Sequence, residues 1–421
     1  MFTGHAAARP GYRLRHLASP LFAAAVSFLP GTSVFPGRLV AQELSVADET
    51  PVDAPLWHGL GAGPHAVGFR VDWLVDEVRR GPGSAEGEGR LLRVYTWYPA
   101  VAGTGEAMTF GDYLAPRPPD GTRWTTIVSY LDQRDASTFA RQFSPPNDSA
   151  SDRLREIPVP ARRDAAIDEG RFPLVLYSLG RNDYQLESSV LWEYLASHGY
   201  VVSVVPQLGI GNDSPTLAFE PAEMELQAVD LAFALREIGR WPRVDDGSVG
   251  LIGHSSGGVA ALLLAHREPR VDAIVGLDAS FGTTEGRTLL AAMGDPHRSV
   301  DVALLDLHTR ANRSRDAAVI DAMASSDRQS IAFGGTRPPT IATHFDFQNW
   351  PLYANLLGVE DARAADARPA SWAADVFLSA VQLTRSFLDH YLRNGAGTWQ
   401  PELTALPLDS SDVRLRSRLA E

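Results

Sequence analysis

Residues 248–266, SVGLIGHSSGGVAALLLAH, constrain this chain more than any other stretch. The first seven suit a strand buried on both faces, and the last ten read as an apolar helix. Between them the chain must turn within a few residues. Gly253 and Gly257 remove Cβ atoms that would otherwise bring strand and helix into collision. The residue midway, Ser255, is forced out at the end of the sheet, which is how a G-x-S-x-G turn presents a nucleophilic hydroxyl. Ser256 would open the helix with its backbone N–H aimed at a substrate oxyanion. Its side chain could instead simply cap the helix.

Such a turn needs a parallel sheet around it, and the sequence predicts one. FPLVLYSLG (172–180), YVVSVVPQ (200–207), VDAIVGLD (271–278) and SVDVALLDL (299–307) read as further strands. An amphipathic helix is expected over 185–199, a helix opened by proline over 221–240, and a long closing helix over 371–395. Alternation of this kind predicts an α/β fold with a mostly parallel central sheet and helices on both faces. Upstream, 66–75 and 90–100 suit an antiparallel hairpin. Residues 110–170 break the rhythm with Pro, Asp, Ser and Arg, and SPPNDSASD reads as loop. This segment is expected to be an insert that acts as a lid over a site.

Composition removes several chemistries. The chain has 421 residues and a net charge of −13, its 38 basic residues are all arginine, and it has no cysteine. That excludes a cysteine nucleophile, a thiolate metal site, a lysine Schiff base and a Walker-type phosphate lysine. An acidic chain without a basic run argues against a nucleic-acid partner. The N-terminus has Arg9, Arg13 and Arg15 before the uncharged LFAAAVSFLPGTSVF and a small-residue site near Ala41. Residues 1–41 are thus expected to be a signal peptide and 42–421 a single domain, with the protein exported to periplasm or medium. Pro20, Pro30 and Pro36 argue against a membrane-spanning helix there.

A serine nucleophile needs a base and the base needs an orienting acid, in the chain order Ser, Asp or Glu, His. His344, in PTIATHFDFQNW, lies after the last apolar run and before the closing helix, where the base belongs. His254 reads as packing within the turn. His198 and His266 end helices, His390 lies inside one, and His308 follows a strand directly. Asp278 and Asp306 each end a strand, and the order rule admits either as the acid. A metal site from His297, His308 and Asp301 matches no zinc spacing, so neither metal nor cofactor is expected.

The stretch FPLVLYSLGRNDYQLESSVLWEYLASHGYVVSVVPQ, with GLIGHSSGGVAALLL, GLDAS, THFDF and FLDHYLRNG in the same order, resembles the platelet-activating-factor acetylhydrolases and their bacterial lipase-like relatives. The resemblance spans about 60–395 but is poor over 110–170 and 309–337. It implies an α/β-hydrolase fold, no metal, and cleavage of short-chain acyl or phospholipid-type esters. It also favours Asp278 as the acid, because in that family the acid follows the strand after the serine turn. The family's His-Gly pair before the oxyanion loop is replaced here by Leu179-Gly180. The Arg181 backbone N–H occupies the matching donor position, and a backbone donor does not depend on side-chain identity. The resulting expectation is a triad of Ser255, Asp278 and His344, with Ser256 and Arg181 holding the oxyanion. Two other readings stay open: a non-lipid ester as substrate, and a non-catalytic binding protein. The oligomeric state is not legible.

Overall fold

The computed structural model describes residues 54–82, 89–114, 116–118, 124–141, 147–210, 215–325, 327–359, 368–395 and 397–419. The expected signal peptide, 1–41, lies outside them, as do residues 83–88 of the loop joining the hairpin strands. Residues Pro51–Glu421 form one compact unit. Its strands are β1 (Ala66–Asp76), β2 (Arg90–Ala100), β3 (Glu106–Thr109), β4 (Pro158–Arg163), β5 (Phe172–Ser178), β6 (Val201–Val205), β7 (Val244–His254), β8 (Val271–Leu277), β9 (Ala303–Thr309), β10 (Asp327–Phe333) and β11 (Val413–Leu419). They make one sheet in the order β11-β10-β9-β8-β7-β5-β6-β2-β1-β4-β3.

From β6 through β10 the six neighbouring strands are parallel. Every residue of β5 and β6 is buried, as expected of strands covered on both faces. The expected hairpin is present, pairing Ala66 with Ala100 through Asp76 with Arg90. The helices are α1 (Phe110–Tyr113), α2 (Thr125–Arg141), α3 (Asp148–Glu156), α4 (Ser189–Ser197), α5 (Pro221–Ile238), α6 (Gly257–Ala265), α7 (Thr284–Ala292), α8 (Ala318–Ala322), α9 (Trp350–Leu357) and α10 (Ala370–Asp389). They divide between two apolar layers. One layer packs α4 and α10 against one face of the sheet, and the other packs α5 and α6 against the opposite face.

Four expectations need correction. The region 110–170 is more regular than its composition suggests. It supplies α1, α2, α3 and β4, and β4 pairs with β1 and with β3 at the sheet edge. Within SPPNDSASD, the part from Asp148 onward is helical, because the Asn147 side chain accepts the Ala150 N–H and caps α3. Helix α4 starts at Ser189 rather than 185, and all nine of its residues are buried. It is therefore a sandwiched helix and not an amphipathic one. Two strands, β10 and β11, fall where no strand was expected.

The insert is tied to the chain that follows β5 and β6. Buried Arg93 on β2 pairs with Asp132 and Asp135 of α2 at 2.5 and 2.6 Å, and donates to Gln185 Oε1 in the chain that follows β5. Arg134 of α2 donates to the Gln207 carbonyl after β6, and the Gln207 amide in turn donates to the Leu179 carbonyl.

Candidate active site

The turn after β7 takes the form the glycines dictate. A Cβ on Gly253 would lie 2.5 Å from Gly258 Cα, and one on Gly257 would lie 2.6 Å from the Leu179 carbonyl oxygen. Ser255 sits at the apex with φ = +53°, in the left-handed region that costs a non-glycine residue energy. Its backbone is clasped to the next strand connection. The Ser255 N–H donates to Leu277 O at 3.2 Å, and Ser255 O accepts from Ser280 N at 2.7 Å. The stretch between Leu277 and Ser280 contains Asp278, so the acid-bearing loop is held directly against the elbow. We expect Gly257→Ala to lower unfolding stability by about 1–3 kcal/mol in denaturant melts, through overpacking that no rotamer can relieve.

Asp278 is buried and also has positive φ, +41°. Its Oδ2 lies 2.7 Å from His344 Nδ1, and its Oδ1 accepts the Thr309 N–H at 3.2 Å. Burial by itself would raise its pKa. The hydrogen bond and charge of His344, the Thr309 N–H and the nearby Arg315 outweigh burial and hold the carboxyl below its ordinary value. Asp306, the rival acid, is engaged elsewhere. It pairs with the Arg315 guanidinium, accepts from Ser330 Oγ at 2.7 Å and faces His308 Nδ1 at 3.2 Å. The structure thus brings His344 to Asp278 and leaves Asp306 bonded to Arg315 and Ser330, with Arg315 lying close to both carboxylates.

His344 opens a short helical turn whose start is fixed by Thr343 and Asp346. The Thr343 N–H donates to Asp346 at 2.7 Å, and buried Asp346 is paired with Arg368. The imidazole remains about one-third exposed. Among the described residues no hydrogen bond joins Ser255 Oγ to His344. The Asp278–His344 contact is formed; a serine–histidine contact is often long in an unliganded site and tightens only when substrate binds.

The expected oxyanion donors are available. Neither the Ser256 nor the Arg181 backbone N–H donates to an acceptor among the described residues. Among the described residues the Ser256 side chain makes no capping bond and its buried Oγ has no partner, so the capping role is not observed. Arg181 itself is exposed and follows Gly180 at the end of β5. Leu179 is buried, and its carbonyl takes the Gln207 amide.

Sequence reasoning missed several residues that hold these loops together. Glu187 accepts from Tyr177 OH at 2.9 Å and from the Gly180 N–H at 3.2 Å. Gln348 donates to Asp183 at 2.6 Å and to Glu187 at 3.3 Å, and Asn349 bonds the chain at Leu186, Glu187 and Val190. A polar pair, Gln348-Asn349, four and five residues after the candidate base was the available signal. His254 does more than pack. Its ring stacks on His344 with centroids 4.6 Å apart, and its Nε2 lies 3.3 Å from the His344 carbonyl.

Asp183, Glu187 and His254 place potential metal-ligand atoms within 4.8 Å of one another. The donors gathered there argue against a cation. The Gln348 amide donates to both carboxylates, and Tyr177 O–H and Gly180 N–H donate to Glu187 as well. His297, His308 and Asp301 are not brought into such a group among the described residues.

No protein-family model and no curated protein matches the chain. Among solved structures it is similar to the ferulic acid esterase from Streptomyces cinnamoneus, with a TM-score of 0.61 and 20% identity over 85% of this chain and 98% of that one. The fold is that of the α/β-hydrolases. Within an α/β-hydrolase fold, Ser255 lies at the strand-to-helix turn after the central β7, and Asp278 and His344 follow it in the order the fold uses. Among the described residues, no helix is long and apolar enough to cross a membrane.

Proposed function

We propose that the chain is an exported serine carboxylic-ester hydrolase working through an acyl-enzyme. The observation that carries this reading is the 2.7 Å Asp278–His344 pair on the loop clasped to the Ser255 turn. Asp278 holds the Nδ1–H tautomer and keeps Nε2 free as the base. Ser255 Oγ attacks the ester carbonyl carbon while its proton passes to His344 Nε2. The Ser256 and Arg181 N–H groups receive the charge that develops on the carbonyl oxygen. Collapse of the tetrahedral intermediate breaks the bond to the leaving alcohol, which takes the proton from His344. Water, deprotonated by the same imidazole, then cleaves the acyl-enzyme and returns Ser255.

The substrate we assign is a short-chain acyl ester of the phospholipid type, on the resemblance to the platelet-activating-factor acetylhydrolases. The ferulic acid esterase likeness supports a second reading, an aromatic non-lipid ester. A panel of p-nitrophenyl esters of graded chain length, a short-acyl phospholipid and a feruloyl ester separates the two. The first reading expects kcat/KM to fall steeply with acyl length and the phospholipid to exceed the feruloyl ester. A preference for the feruloyl ester by tenfold or more selects the second, and no hydrolysis of any member removes both. For export, intact-mass measurement of protein recovered outside the cytoplasm should show a chain lacking 1–41. A full-length cytoplasmic chain would contradict it.

A further inference from the structure

A fully buried acid in the site belongs to none of the proposed catalytic roles. Glu187 and His254 are fully buried, with His254 Nδ1 3.5 Å from Glu187 Oε1. A buried carboxylate is costly unless its oxygens are satisfied, and here Tyr177 O–H, Gly180 N–H and the Gln348 amide all donate to it. Those three donors come from β5, the oxyanion loop and the His344 loop. His254 belongs to the nucleophile turn. One carboxylate therefore touches the oxyanion loop, the nucleophile turn and the base loop, while the Asp278 loop is held separately by the turn.

We propose that Glu187 is a positioning residue for the hydrolytic reaction, holding His254 as a cation beneath the His344 ring and tying the oxyanion loop to the base loop. The proposal rests on the esterase reading above. The charges facing His254 are Glu187 and Asp183 from the chain after β5 and the stacked His344, which is bound on its far nitrogen to Asp278. Burial pushes the Glu187 carboxyl up to about 7, while Glu187 and Asp183 overcome burial to raise His254 above its usual value. Three donors on the carboxylate favour its ionised form, and an ionised Glu187 favours a proton on the facing imidazole.

The consequence is electrostatic. A cationic His254 stands 4.6 Å from the base ring and opposes, as a like charge, any imidazolium formed there during the reaction. Removing the carboxylate lets buried His254 become neutral, and the like charge beside the base ring is lost. The acidic limb of kcat/KM, which reports the free base, moves to higher pH.

The test uses the full chain, first labelled with an organophosphonate to establish that Ser255 is the reacting serine. Loss of that label is failure of the esterase reading, a separate result. Glu187→Gln keeps the side-chain shape. His254→Gln keeps a donor for the His344 carbonyl but carries no charge. We expect Glu187→Gln to lower kcat about tenfold or more with KM within twofold. Both variants should shift the acidic limb upward by about half a pH unit or more. A limb within about 0.1 unit of the parent in both variants would overturn the proposal, even where activity falls. If Glu187→Gln does not fold, the His254→Gln limb decides the matter alone.

Discussion

Ser255→Ala lowers kcat for ester hydrolysis by about 10⁴ to 10⁶, the scale on which triad serines act as a unit with their base. The variant folds, because the alanine keeps the backbone bonds to Leu277 and Ser280 that hold the turn. Ser256→Ala keeps most activity, since its contribution is a backbone N–H and its Oγ is already without a partner among the described residues. Stopped-flow or steady-state kcat on one soluble ester, with thermal melts for each variant, checks both. An inactive Ser256→Ala beside an active Ser255→Ala would mean that the turn presents the other hydroxyl.

The second large effect separates two aspartates at neighbouring strand ends. Asp278→Asn turns an acceptor for His344 Nδ1–H into a donor. The imidazole then adopts the tautomer whose Nε2 is protonated and cannot take the serine proton. The corresponding change in a well-studied serine protease costs about 10⁴ in kcat, and we expect that scale here. Asp306→Asn should cost less than about tenfold in kcat. Its effect falls on stability, because Arg315 loses its buried counter-ion, a class of change worth about 3–5 kcal/mol. Measuring kcat and denaturant midpoints for both variants distinguishes the two roles. A crippled but stable Asp306→Asn would contradict the assignment.

The parts of this site that were legible in the sequence are those where geometry leaves one choice of residue. The glycines at 253 and 257 mark places where a Cβ would strike the neighbouring backbone, so the turn and its serine could be read from spacing. The near-continuous apolar runs of β5, β6 and β8 identified a doubly covered sheet. The choice between Asp278 and Asp306 was not legible from residues, since both end parallel strands with similar apolar character. What separates them is three-dimensional: only one strand end is clasped to the elbow. β10 was hidden because DRQSIAF mixes polar and apolar residues. β11, VRLRSRL, has a clear alternation that arginine content disguised as a charged tail. Glu187 sits in the largely polar stretch DYQLESS and reads as the polar face of an amphipathic helix. Its burial and its four-segment role arise only from contacts with Gln348 and Gly180, residues distant or unremarkable in the chain.

The central claim is that Ser255 is a nucleophile activated by His344 and Asp278. The most direct measurement is the intact mass of the protein after reaction with an organophosphonate, followed by peptide mapping. The account predicts one adduct per chain, located on Ser255, absent in Ser255→Ala and formed at least a hundredfold more slowly in His344→Ala. An unmodified chain under conditions that label known serine hydrolases, or an adduct on any other residue, would contradict it.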